Sequence, residues 1–476
     1  METDYNQIAA QSTEPKSKRR WFQYSLRTLM IFVTLFAIAC SWFTVKLQQA
    51  KRQREAVEKL IKLGCSVEYD YESGSSWFDP NPKPFNPNAI PPGPEWLNKL
   101  LGIDFLCNVT KVTNLGKGSA DSVGLEWLIE QTDPKSFEFD YQIIDDVGWR
   151  NIKGFTKLKK LYLKSEKITD DELKNLSKMT QLQELFLWSS QITDNGLEHL
   201  KGLTQLQQLY LRDTKITDVG LTYIQEFTQL KYLDLANTSV TDKGLAKLNG
   251  LTQLHGLSLS NTKINGLGLE SFAGSTELHD LFLANTQVTD AGLKILDGKD
   301  MLQYLDLSNT EITDVGLEHI KDLEGLGILK LSGTKITGAG LEHLKRLREI
   351  GSLSLDNTQI NDAGLAHVTF LGKLGALDLH GTNITDSGLE EIEGYCPLLA
   401  NLHLNKTKIT DLGLKHLKGF NSLKWLDLSD TGITDMGLEN IKGLPKLTYL
   451  KLKNTKVSDA GIKNLQKTSP QVEIEH

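Results

Sequence analysis

Aspartates recur behind threonines along the chain, at Asp194, Asp218, Asp242, Asp290 and Asp314. Evenly spaced carboxylates are the material of calcium sites, whereas a Thr-Asp step before a helix caps unpaired amides. Apolar residues follow each step at helical spacing, and capping is the reading they favour. Five histidines, His199, His319, His343, His367 and His416, share one helical phase. Neighbouring helices stand about 8–10 Å apart, too far for two imidazoles to share a metal, so a solvated stripe is expected. The cysteines are Cys40, Cys65, Cys107 and Cys396, scattered without zinc spacing. Cys65 and Cys107 can pair in an oxidising compartment, but two free thiols are the favoured reading. Gly116-Lys-Gly-Ser-Ala-Asp121 lacks the order of a phosphate loop. The sequence therefore points to no catalytic constellation, no metal and no cofactor.

What remains is contact chemistry. Tyr162, Phe186, Trp188, Tyr210, Arg212 and Tyr232 stand at equivalent places along the chain, just before, between or just after pairs of leucines. Phe282 and Tyr304 continue the series more thinly, and Trp425, Tyr449, Lys451 and Lys453 form a second spot. The stretch between holds Ser258, Ser260, Ser332, Ser354, Asp356 and Asp378. Large aromatics and arginine anchor protein interfaces, although aromatics also favour strands for their own sake.

The elements that must position these residues come from a repeat. Residues 305–320 read LDLSNTEITDVGLEHI, and an L-x-L element begins at 161, 185, 209, 233, 257, 281, 305, 329, 353, 377, 402, 426 and 450. The step is 24 residues, except for one of 25. Weaker copies are read at Phe137-Glu-Phe139 and at Leu125 and Leu128, and Val472 to Ile474 reads as a last strand. Side chains alternate along a strand, so Leu209 and Leu211 point into the core and their neighbours point out. Thr214 and its counterparts are expected to bond the backbone where the chain leaves the strand. Leu221, Ile224 and Phe227 then pack a helix back onto the sheet.

With this period and consensus, residues 108–476 resemble leucine-rich-repeat proteins. The resemblance implies an α/β fold, a curved solenoid with a concave parallel sheet and convex helices. Tyr395-Cys396-Pro397, in the long copy, is similar to the cysteine-containing repeats of F-box substrate receptors in ubiquitin ligases. No F-box precedes the array.

Ahead of the repeats, eighteen residues between Arg27 and Lys46 carry no formal charge. As a helix they would span about 27 Å, near the hydrocarbon thickness of a bilayer. Trp21, Phe22, Tyr24, Trp42 and Phe43 flank or close the run, as interfacial aromatics do. The expected layout is a basic tail (1–27), a transmembrane helix (28–45), a juxtamembrane helix (46–63) and a capping region (64–107) with a proline-rich segment (80–94). Basic residues tie across the apolar run, with Lys16, Lys18, Arg19, Arg20 and Arg27 before it and Lys46, Lys51, Arg52, Arg54 and Lys59 after it. The favoured arrangement keeps the N-terminus in the cytoplasm and the repeats outside. This N-terminal layout resembles that of bacterial membrane-anchored leucine-rich-repeat proteins. A net charge of −7 argues against nucleic acid as partner. The expectation is a single-pass, non-enzymatic module that offers its concave face to a protein or glycan. The alternatives are an F-box-like substrate receptor, an adhesion protein and, last, an enzyme with its site in residues 64–107.

Overall fold

The computed structural model describes residues 26–62, 65–69, 109–114, 136–140, 156–164, 168–188 and 191–476. The proline-rich segment, the copy at Leu125 and Leu128, and Cys107 lie outside them. The chain divides into two units, Met1–Glu55 with Pro91–Cys107, and Ala56–Ile90 with Asn108–His476.

One helix, α1, runs over Leu26–Lys62 and covers both segments read as separate helices. Its apolar stretch is long enough to cross a membrane, and Met30, Ile31, Phe32, Phe36 and Ile38 are all exposed. The hydroxyls of Thr34 and Thr44 donate to the carbonyls of Met30 and Cys40 at 2.8 Å, so both are satisfied within the helix. Further along, Ala50, Gln53 and Val57 are buried on one stripe, and Val57 joins the repeat core. Ile61, one turn further on, is exposed.

In the second unit, β1 (Cys65–Tyr69) pairs antiparallel with β2 (Val109–Asn114). From β2 onward every pairing is parallel, through β3 (Ser136–Asp140) to a last strand at Glu473–Glu475. Phe137 and Phe139 align with Leu161 and Leu163, so that weak copy is a true rung. The paired leucines of each strand are buried, as Leu305 and Leu307 are, while Asp306 between them faces out. The convex turns are shorter and tighter than the helices expected. Asp194–Glu198 and Asp242–Leu245 are single α-turns, and Gly338–Arg346 and Gly413–Gly419 are 3-10. A 3-10 turn rises about 2.0 Å per residue against about 1.5 Å, which spans the back of a short repeat with fewer residues.

A recurring bond and a recurring backbone conformation shape the turn after each strand. Thr214 Oγ1 donates to the Leu211 carbonyl at 2.6 Å, within its own repeat, and the same bond returns at Thr238, Thr262 and Thr310. The residue just before it takes a left-handed conformation, as Asn237, Asn261, Asn285 and Asn309 do, which asparagine tolerates better than most.

The Thr-Asp steps divide their labour in a way that corrects the sequence reading. Threonine caps its own turn, as Thr193 does for the Asn195 amide. The aspartate instead serves the next repeat. Asp194 accepts from the Thr217 amide at 2.8 Å, from Thr217 Oγ1 at 2.6 Å and from the Gly220 amide at 2.9 Å. Asp314 does the same for Thr337 at 2.8 and 2.6 Å. This explains the glycine of T-D-x-G: a Cβ on Gly196 would stand 2.5 Å from Asp170 Oδ1. The ladder is interrupted where glycine replaces the aspartate, at Gly266 and Gly338.

The histidine stripe is likewise not uniform. His416 is buried, and its Nδ1 lies 2.7 Å from Glu393 Oε2. No cluster of three or more metal-binding side chains occurs among the described residues.

Candidate interaction surface

The outward residues of successive strands stand beside one another because the strands pair in register. Tyr162 aligns with Phe186 and Phe186 with Tyr210. Their rings stack, with centroids 4.3 Å apart for the first pair and 3.9 Å for the second, the latter inclined by only 10°. Tyr162 is held by its hydroxyl, which donates to Glu184 Oε2 at 2.7 Å, and Lys160 pairs with the other oxygen of that carboxylate at 2.7 Å. Burial, with Glu184 and Asp234 near, pushes the Tyr210 phenol well above its ordinary range, so it stays a neutral hydroxyl.

Trp188 and Arg212 sit one step further along their strands. Trp188 is 40 % exposed, and its Nε1 donates to Asp213 Oδ2 at 2.8 Å. The Arg212 guanidinium lies 5.8 Å from the indole centroid, within cation–π range, and Nε is 3.7 Å from the same Asp213 oxygen. Five of the six residues singled out from sequence thus form two linked groups. Tyr232 turns elsewhere. Its ring lies over Gly256, where a Cβ would come within 2.5 Å of Cδ1, and meets the edge of His255 at 6.0 Å. His255 in turn packs against His279 at 5.3 Å. Those histidines went unnoticed because they fall one residue before the strand proper, a place the L-x-L alternation does not mark.

A second aromatic group occupies the last strands. His403 lies 4.0 Å from Trp425, and Trp425 stacks on Tyr449 at 6.0 Å. Lys451 stands over both rings, at 5.7 and 5.9 Å. Glu475 ties the group down by accepting from Tyr449 at 2.7 Å and pairing with Lys451 at 3.3 Å and with Lys453. Lys453, Tyr449 and Lys451 hold its carboxyl low, at about 2, and the carboxylate in turn pushes the Tyr449 phenol up to about 12. His403 was missed by the sequence reading, although its central place in the strand marks it as outward.

The comparisons with known proteins agree with this geometry. A family model described as leucine rich repeat matches residues 180–240 and 397–457, and a second matches residues 300–321. The chain carries leucine-rich repeats and folds as a leucine-rich-repeat solenoid. Among solved structures, an internalin, InlF, from Listeria monocytogenes matches with a TM-score of 0.56 and 22% identity, over 75% of this chain and 94% of that one. A leucine-rich-repeat protein of Leptospira interrogans matches with a TM-score of 0.51 and 20% identity, over 74% and 92%. At such identities the likeness is one of fold. No curated protein matches the sequence. The outward face of the sheet therefore carries the aromatic groups, while the leucines behind it are spent on the core.

Proposed function

We propose that the protein is a membrane-anchored, non-catalytic binding module that captures a protein through the sheet face of its repeats. The observation that carries this reading is the group Tyr162–Phe186–Tyr210 with Trp188 and Arg212, outward on adjacent strands and held by Glu184 and Asp213. Rings fixed in this way lose little conformational entropy when a partner covers them. Stacking also turns their faces toward one another and leaves edges outward. A sugar packs best on a ring face, so a protein surface suits these edges better than a glycan does. The apolar stretch of α1 is the anchor in this reading, with the repeats outside the cytoplasm. The leucine-rich-repeat fold, common in interaction modules, supports the absence of catalysis.

Replacing Phe186, Trp188 and Tyr210 together by serine tests the reading. The expected outcome is loss of partner capture on cells, with the circular-dichroism spectrum and unfolding midpoint retained. Unchanged capture would remove these residues from the contact surface, and loss of self-association alone would make the protein an adhesion element.

A further inference from the structure

The two aromatic groups bracket a different kind of surface. Between Tyr304, which packs against Phe282 at 4.7 Å, and Trp425 lie five strand-to-strand steps. At about 4.8 Å each, these steps separate Tyr304 from Trp425 by roughly 24 Å. Lys330 over Tyr304 and His403 packed on Trp425 narrow the open floor to three steps, roughly 14 Å. Across that interval the residues in register with Tyr304 and Trp425 are Ile328, Ser352, Ala376 and Asn401, none aromatic. One residue earlier, Gly327, Gly351 and Gly375 succeed one another in the same register. The floor is therefore low, and the walls at either end are tall.

Charge is segregated along the same face. Outward positions from the Asp280 strand to the Asp378 strand hold Asp280, Asp306, Asp356 and Asp378 against one lysine, Lys330. Lys330 is 3.9 Å from Asp306 and leans over the Tyr304 ring at 5.3 Å, so it belongs to the wall. Asp356 accepts from Ser332 and Asn357, and Asp378 accepts from the His380 amide at 3.0 Å with His403 Nδ1 at 3.9 Å. Burial raises the Asp280 and Asp378 carboxyls above their ordinary range, the mark of carboxylates that a nearby cation would stabilise. The neighbouring ends of the face carry Lys160 and Arg212 on one side and Lys451 and Lys453 on the other.

We infer that the face between Tyr304 and Trp425 is the docking place for a lysine- or arginine-bearing helix of the partner protein. An α-helix is about 10–12 Å across with its side chains, so one fits between the walls. The aromatic walls pack its flanks, and Asp306, Asp356 and Asp378 meet its cations. Like-charged partners are repelled, and this repulsion is the source of selectivity. The inference rests on the sheet face being the binding surface, but it uses residues distinct from the Phe186 group.

The test uses the full chain in zwitterionic detergent, with a fluorescent helical peptide of alternating alanine and lysine blocks and its glutamate counterpart as probes. Binding of the lysine peptide should weaken about tenfold or more when Asp306, Asp356 and Asp378 are all changed to asparagine. It should change less than about twofold when Glu318, Glu342 and Glu439 on the convex turns become glutamine, an equal change of net charge. Equal weakening in the two variants, or equal binding of the glutamate peptide, overturns the inference. No binding of the lysine peptide at low salt does so as well. The Phe186, Trp188 and Tyr210 serine variant should still bind the lysine peptide, which separates failure of this docking place from failure of the wider reading.

Discussion

Lys299 stands where equivalent residues in other repeats are core leucines such as Leu251 and Leu323, yet it is only 4% exposed. Its ammonium donates to the carbonyls of Phe272, Ala273 and Ser275 at 3.1, 2.8 and 2.9 Å, and Ser275 Oγ reaches the Leu251 carbonyl at 2.8 Å. Burial lowers its pKa, but three acceptors keep the charged form supported. Lys299→Ala leaves those carbonyls without the ammonium and should cost about 1–3 kcal/mol, read from urea unfolding. An unchanged midpoint would show that water replaces the ammonium. The sequence marked this position only as a lapse in a leucine column. The same holds for His416, assigned to a wet stripe: its burial depends on Glu393 in the previous repeat, a contact that phase alone does not reveal. Tyr232 escaped its expected neighbours for a comparable reason, since the space at Gly256 decides where its ring falls.

Among the elements, the unit of cohesion is the rung between repeats. The period, the strands and the buried leucines were legible because each is written into one repeat, by alternation and by apolar spacing. The aspartate rung was not, because its donor lies on the following copy, 23 residues on in the Asp194–Thr217 case. Gly220 exposes the logic: an added Cβ would land on Asp194 Oδ1, whereas one on Gly250 would meet nothing within 4 Å. Gly220→Ala should therefore destabilise by about 1–3 kcal/mol, as overpacking does. Gly250→Ala should be neutral or stabilise by about 0.4–1 kcal/mol. Adding Asp194→Ala to Gly220→Ala should cost less than the sum of the two single changes, since the clash and the rung share one carboxylate. Strict additivity in a chemical-denaturation cycle would refute the rung.

At the scale of the whole molecule, a solenoid with its leucines committed to the core leaves one long sheet face for contact. That face is banded, aromatic and basic at either end and acidic over a low floor between, as Tyr162, Arg212, Asp306, Asp378, Trp425 and Lys451 mark it. In the proposed reading, the anchor determines which molecules can reach it. Because basic residues tie across the apolar run, orientation must be measured: a reporter active only outside the cytoplasm, fused after His476, should be active. An inactive reporter would place the repeats inside and turn the module into a cytoplasmic scaffold. The most direct test of the account is a photo-crosslinking scan in the cells that make the protein. A benzophenone side chain is placed in turn at Trp188, Tyr304 and Trp425 on the sheet face, and at Glu342, Lys345 and Lys467 on the convex turns. One common protein adduct is expected from the sheet-face positions and none from the convex ones. Adducts confined to the convex positions would contradict it.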